Sequence, residues 1–417
     1  MENKNTVVPI KSNERIAYLD ILRGIAILFI FTANIQFFSG HWFFTPDSAV
    51  REINWQSDTI LDFIVYVLVD GKFYSIFSLL FGIGCFIQYQ NTTSKGKAFA
   101  PFFRKRMFWL LVFGLVHLFL IWPGDILALY AFLGFFLIGF VKASDKTLLI
   151  TAGVLLLLPI ANWAFMQFSG IFYPGFAFNT STAIYQYFGM PVIESNGQLM
   201  TDIPAFLQNK NLADFFKMNL GNGFTRIGML LEEGRLFKVF GVFLLGLWAG
   251  KKIIHHNLLN NISFLKKVLI TGLAIGLPFN LLRGYLAFYT ESLGDTLNYF
   301  LHVVTYTLGT VPLALGYAAG IALLCKKHVI FLKLFTPIGK TALTCYLSQS
   351  IIAILLFYGF GFNLTGKYGF TIIMIIAFCI FAGQVIISKI WLQYYKFGPM
   401  EWLWRKLTYG SNLKLRK

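Results

Sequence analysis

Apolar residues in this chain come in long unbroken runs rather than alternating stripes. A helix needs about 17–25 mostly apolar residues to cross the hydrocarbon core of a bilayer. The pattern predicts ten such spans, near residues 17–38, 72–90, 107–122, 126–142, 147–168, 236–251, 267–288, 298–324, 334–360 and 369–393. A membrane barrel would show segments of about ten residues with period-two alternation, and none is present. Residues 58–71 form a further apolar stretch carrying Asp58, Asp62 and Asp70, expected as an interfacial or re-entrant helix. The fold class expected is an all-α integral membrane protein, a bundle of about ten transmembrane helices with a small extracytoplasmic helical cap.

Composition agrees: 57% of the 417 residues are hydrophobic and 13% charged, against about a quarter charged in soluble domains. The 35 Lys and Arg against 18 Asp and Glu give a net charge of +17. The excess sits in short loops beside the spans, at Lys95–Arg106, Lys142–Lys146, Lys251–Lys267 and Lys326–Lys333, and in the tail from Arg405. In the ten-span arrangement these all fall on one side, which the positive-inside rule makes the cytoplasm, with both termini there. Membrane lipids, not nucleic acid, are the expected partners of this charge. The mostly polar start and the lack of a small-residue cleavage site after the first run argue against a signal peptide. Three regions follow: a membrane half at 1–168, a cap at 169–235 with an amphipathic stretch at 204–231, and a second membrane domain at 236–417. Cys85, Cys325, Cys345 and Cys379 lie in or beside apolar runs without metal-ligand spacing and read as small hydrophobes. No Walker loop or Rossmann fingerprint is present. The pattern leaves a homo-oligomer open.

Ionisable groups inside a span are expensive and therefore mark candidate sites. Asp20 and Arg23, three residues apart, share a helix face and form either a structural ion pair or, with Arg15, part of a basic pocket for a phosphate-bearing ligand. Gly24 permits close approach of a second helix. His117 lies in the third span, shortly before the turn Trp122-Pro123-Gly124-Asp125. It reads either as an interhelical hydrogen-bonding group or as a general base, for which its ordinary pKa is suited. The hairpin returns Asp125 to the level of His117; the carboxylate is either a helix cap or the group that orients the imidazole. Lys72 snorkels to the interface, binds an anionic substrate or pairs with Asp70. In the ninth span Thr341, Thr344 and Ser348 share a face that reads as interhelical glue, with Gln349 as the residue most suited to line a site; Asn34 in the first span is similar.

The segments Asp20-Ile21-Leu22-Arg23-Gly24, Phe77-Ser78-Leu79-Leu80-Phe81-Gly82, Gly124-Asp125-Ile126-Leu127 and Gly339-Lys340-Thr341-Ala342-Leu343-Thr344, with the terminal Gly398-Pro399-Met400-Glu401-Trp402-Leu403-Trp404-Arg405, resemble the bacterial YeiB family, also called DUF418. The N-terminal half is in turn similar to the acyltransferase-3 and heparan-glucosaminide acetyltransferase groups. That resemblance implies transfer of an acyl group from cytoplasmic acyl-CoA, as co-substrate, to an extracytoplasmic hydroxyl or amine, on a sugar or lipid acceptor, in the bacterial inner membrane. No bound cofactor or metal is implied. The acyltransferase-3 group has a histidine where Asn34 stands, so the implied base is His117, with Asp125 orienting it. Arg15, Arg23 and the loop Arg104, Lys105 and Arg106 would hold the CoA phosphates, and Lys72 or Asn34 the oxyanion. A transporter or flippase, and a scaffold without catalysis, are the other readings.

Overall fold

The computed structural model describes residues 16–44, 55–195, 198–289, 295–410 and 413–417. Arg15, one of the expected phosphate ligands, lies outside them. The described chain is almost wholly helical. The N-terminal half contains α1 (Ala17–Phe38), α2 (Ser57–Leu68), α3 (Lys72–Thr93), α4 (Phe99–Val116), a π-helical turn (His117–Ile121), α5 (Leu127–Leu137) and α6 (Asp145–Ser169). Next come α7 (Gly175–Tyr187), a short hairpin pairing Val192–Ser195 with Gln198–Thr201, α8 (Ile203–Gln208) and α9 (Leu212–Glu232). The C-terminal half contains α10 (Arg235–His256), α11 (Ile262–Tyr289), α12 (Asp295–Lys326), a 3-10 turn (Ile330–Phe335), α13 (Thr336–Lys340), α14 (Ala342–Phe357), α15 (Phe370–Tyr394) and α16 (Pro399–Tyr409).

Among the described residues, six helical stretches are long and apolar enough to cross a membrane, and the bent α13–α14 segment makes a possible seventh. Burial separates two kinds. The apolar stretch of α1 is 72% buried, whereas those of α6 and α11 are 22% and 17% buried. Ile150, Val154 and Leu157 on α6, and Ile270, Leu273 and Leu281 on α11, are exposed. So large an apolar surface is stable only against lipid or another apolar partner. α1 is the central post. Its Leu22, Phe31 and Ile35 pack with α3 and α15, while its Ile27 and Leu28 join a second apolar cluster that also holds residues of α5, α10 and α14.

Close helix approach depends on glycine. A Cβ on Gly24 would strike the Phe335 carbonyl, and one on Gly339 the Asp20 carbonyl. These two contacts seat α13 against α1.

The stretch at 58–71 is a helix of its own, α2, that leads into α3 across Gly71, whose φ of 82° only glycine adopts readily. Two expectations are corrected. The amphipathic stretch at 204–231 is two helices, because Asn209 and Asn211 turn their side chains onto the backbone and start α9 anew. The segment at 334–360 is not one straight span but bends by 80°. Thr341 leaves helical geometry there (φ −117°, ψ 29°). The amides freed at the start of α14 are taken by Glu401, whose Oε1 accepts from Leu343 at 2.6 Å and Thr344 at 3.1 Å. Of the cysteines, Cys85 and Cys345 are buried, but Cys379 is exposed on the outer face of α15.

Candidate active site

The α4–α5 hairpin is closed by its own sequence. Gly114 lets α4 approach the backbone of Ala128, and Pro123-Gly124 turns the chain. Before the turn, α4 widens into a π turn closed by the Trp122 amide on the His117 carbonyl at 2.6 Å. Such turns rotate the side chains that follow and recur at functional sites. After the turn, Asp125 accepts from the Ala128 amide at 2.6 Å through Oδ2, so the cap reading of Asp125 is correct. Its other oxygen, Oδ1, lies 2.9 Å from His117 Nδ1, so the same carboxylate also meets the imidazole.

The imidazole is completed from the other half of the chain. His117 Nε2 lies 3.0 Å from Ser350 Oγ on α14, a residue 233 positions away in sequence. Exposure is 0% at His117 and 2% at Asp125 and Ser350. In the tautomer that donates Nδ1–H to Asp125, the Nε2 lone pair faces the Ser350 hydroxyl, which also lies 3.4 Å from the Tyr346 carbonyl. The order carboxylate, imidazole, hydroxyl is that of a nucleophile with its base and orienting acid. Trp122 and Tyr346 flank the ring, with centroids 6.1 and 5.1 Å away. Ser350 carries no distinguishing signal in the sequence, where it is one of several hydroxyls beside the more polar Gln349. Gln349 donates to Gln384 at 2.9 Å, which ties α14 to α15. Ser348 accepts from Gln384 and Thr341 donates to Ser388, so the polar face of this segment is interhelical glue as expected.

A cavity of about 290 Å³ runs from the opposite end of α1 toward this relay. Its mouth carries Arg23, Arg106, Lys340 and Arg405; its inner end is formed by Ile126, Leu127, Tyr130 and Tyr346, with Leu80, Phe81, Met107 and Leu110 between. Tyr346 therefore stands between the cavity and His117. Arg23 is held by Asp20 at 3.0 Å and by the Gly339 carbonyl at 3.3 Å. Arg106 lies over the Trp404 ring at 3.7 Å, and the Trp404 indole donates to the Arg106 carbonyl at 2.9 Å. This stacking explains the Trp-Leu-Trp-Arg run of the C-terminal motif: α16 closes the cavity wall between α4 and α14. Burial among these helices pushes the Glu401 carboxyl above its ordinary range, with the hydrogen bonds from Thr344 and Leu343 opposing the rise.

The remaining expected residues are elsewhere. Arg104 and Lys105 are exposed and do not line the cavity, because successive helical positions point in different directions and only Arg106 turns inward. Asn34 is half-buried on α1, outside both relay and cavity. Lys72 does not snorkel. It is fully buried, donates to the Tyr66 carbonyl at 3.3 Å and belongs to a cluster around Asp70 and Arg283 rather than to the His117 relay. Arg226 on α9 was not anticipated; it lies in electrostatic range of Asp125 and Tyr346 and also of Arg235 and Glu233.

Helices with apolar outer faces around a buried polar relay define a polytopic helical membrane protein. The chain matches the family described as a protein of unknown function, DUF418, over residues 249–411. It is 31% identical to the uncharacterized protein YxaH of Bacillus subtilis across 98% of this chain and 97% of that one. It is 28% identical to the uncharacterized protein YeiB of Escherichia coli across 95% and 96% of the two chains. The chain belongs to the YeiB/DUF418 family.

Proposed function

We propose that this protein is a transmembrane acyltransferase that takes an acyl group from cytoplasmic acyl-CoA and delivers it to a hydroxyl or amine of an extracytoplasmic sugar or lipid. The observation that carries this reading is the buried Asp125–His117–Ser350 relay, separated by Tyr346 from a cavity whose lining includes Arg23, Arg106, Lys340 and Arg405 along with Asp20 and Glu401. Arg23, Arg106, Lys340 and Arg405 would take the phosphates of CoA, arginine by paired contacts. Arg106 and His117 share one helix, eleven residues apart, which is about 16 Å of rise. An extended pantetheine arm covers that distance, so the thioester arrives beneath Tyr346.

The chemistry divides into two transfers. His117 Nε2 takes the Ser350 proton as Oγ attacks the thioester carbonyl; the C–S bond breaks and the CoA thiolate leaves with that proton. Ser350 then carries the acyl group as an ester. The acceptor hydroxyl or amine next loses its proton to Nε2 while attacking the ester carbonyl. The ester C–O bond breaks, and Ser350 regains the proton. Asp125 holds the imidazole in the required tautomer and stabilises its cation in both halves.

The orientation belongs to the same reading. Each of the ten expected spans coincides with a helical element, the bent α13–α14 segment included. With both termini in the cytoplasm of a bacterial inner membrane, the cavity mouth faces acyl-CoA and α7–α9 form an extracytoplasmic cap. The test is direct. Purified protein incubated with radiolabelled acyl-CoA releases CoA thiol and holds label on Ser350. If neither thiol release nor labelling occurs, acyl transfer is wrong.

A further inference from the structure

Four side-chain cations meet at the end of the bundle opposite the Arg23 mouth. Lys72 begins α3, Arg235 begins α10, Lys238 follows one turn later, and Arg283 lies toward the end of α11. Lys72, Lys238 and Arg283 are 0%, 3% and 4% exposed. Carboxylates cover only half of this charge. Asp70 accepts from Arg283 Nη2 at 2.6 Å, and Glu233 pairs with Arg235. Glu232, next in sequence, turns to the Tyr299 hydroxyl at 3.5 Å. Among the described residues, neither Lys72 nor Lys238 has a carboxylate of its own within ion-pair distance, Asp70 being taken by Arg283. Among the described residues, Lys238 Nζ and Arg283 Nε and Nη1 find no acceptor at all. They stand instead over aromatic rings: Lys238 is 3.6 Å and Arg283 4.6 Å from the Tyr306 centroid, and Arg283 is 4.0 Å from that of Tyr66. Ring faces attract a cation but offset only part of the loss of water, and a buried charged donor without an acceptor is strongly unfavourable.

We propose that Lys72, Lys238 and Arg283 form a binding site for a phosphate-type oxyanion, either the phosphodiester of a lipid headgroup or a soluble phosphate ester. Two cations without carboxylates and three spare N–H donor atoms suit a group that carries several charged oxygens. The Asp70 and Glu233 side chains, 34% and 30% exposed, mark the side from which it enters. Tyr66, Tyr74 and Tyr306 wall the site, the last two joined hydroxyl to hydroxyl at 3.0 Å. None of the hydrogen bonds or ring contacts of Lys72, Lys238 and Arg283 involves Asp125, His117 or Ser350, so binding here does not depend on acyl transfer.

The experiment uses the full chain purified in a neutral detergent. Inorganic phosphate is titrated against chloride at equal ionic strength, with binding read by calorimetry and by Tm. The series is repeated in mixed micelles of phosphatidylglycerol against phosphatidylcholine. Saturable binding with a raised Tm is expected for one of the two probes: phosphate assigns a soluble ester, and phosphatidylglycerol alone assigns a lipid headgroup. Lys238→Met keeps the volume and removes the charge. It should weaken binding at least tenfold while leaving the anion-free Tm unchanged or higher, since an unpaired buried charge is lost. Lys72→Met gives the same readout should Lys238→Met fail to fold. The proposal is overturned if neither probe binds the parent protein. It is overturned equally if the variant binds as tightly as the parent, the outcome expected of a lysine that only pins Tyr306.

Discussion

Asp125→Asn is the sharpest perturbation of the proposed relay, because it changes chemistry with little change of shape. Asn is as good a helix cap as Asp, so the bond from the Ala128 amide persists through the side-chain oxygen. The amide nitrogen then faces His117 Nδ1 and donates to it. The imidazole must move its proton to Nε2, where it points at Ser350, 3.0 Å away, and can no longer accept the serine proton. In a serine protease the equivalent change lowers the rate about 10⁴-fold, or roughly 5 kcal/mol at about 1.4 kcal/mol per tenfold. A loss of 10³- to 10⁴-fold is expected here, with Tm changed by no more than a few degrees. The assay counts acyl label retained on protein quenched in the first turnover, alongside release of CoA thiol. Ser350→Ala should abolish the label. Because the three side chains act as one unit, the Asp125→Asn/Ser350→Ala double variant should lose no more than Ser350→Ala alone. Labelling within tenfold of the parent protein in a well-folded Asp125→Asn variant would refute the relay.

Further outcomes follow from the cavity and its walls. Arg23→Gln and Arg106→Gln should each raise KM for acyl-CoA about tenfold with kcat nearly unchanged, the mark of lost phosphate contacts made equally in ground and transition states; KM in the parent protein should also rise with salt. Gly24→Ala forces α1 away from the Phe335 carbonyl, and overpacking of this kind costs about 1–3 kcal/mol, read as a lower Tm in detergent. Burial raises the Glu401 carboxyl above its ordinary value of 4.5. The folded protein therefore binds this proton more tightly than the unfolded chain. That contribution to stability is complete below the unfolded value and is lost as pH rises through the raised one. Glu401→Gln, which keeps an acceptor for the Leu343 and Thr344 amides, should flatten the decline of Tm over that window, while Glu401→Ala should lower Tm at every pH by loss of the helix cap.

Membrane residence was decided by the sequence alone, because a run of apolar residues long enough to cross a bilayer needs no partner to be recognised. The hairpin pairing of His117 with Asp125 was legible for a similar reason: eight residues with Pro-Gly between them return the chain on itself whatever surrounds it. So was the Asp20–Arg23 pair, three apart on one helix. Only the tertiary structure decided the rest. Ser350 reaches His117 from 233 residues away, and no local pattern encodes a contact between two packed helices. The break at Thr341 depends on Glu401 arriving from α16 to take the freed amides. Arg106 was separated from Arg104 and Lys105 by helix rotation against Trp404. Lys72, which in isolation reads as a snorkelling lysine, is instead buried with its ammonium on the Tyr66 carbonyl, while Asp70 is taken by Arg283 of α11, a pairing between residues 213 positions apart that no local pattern encodes.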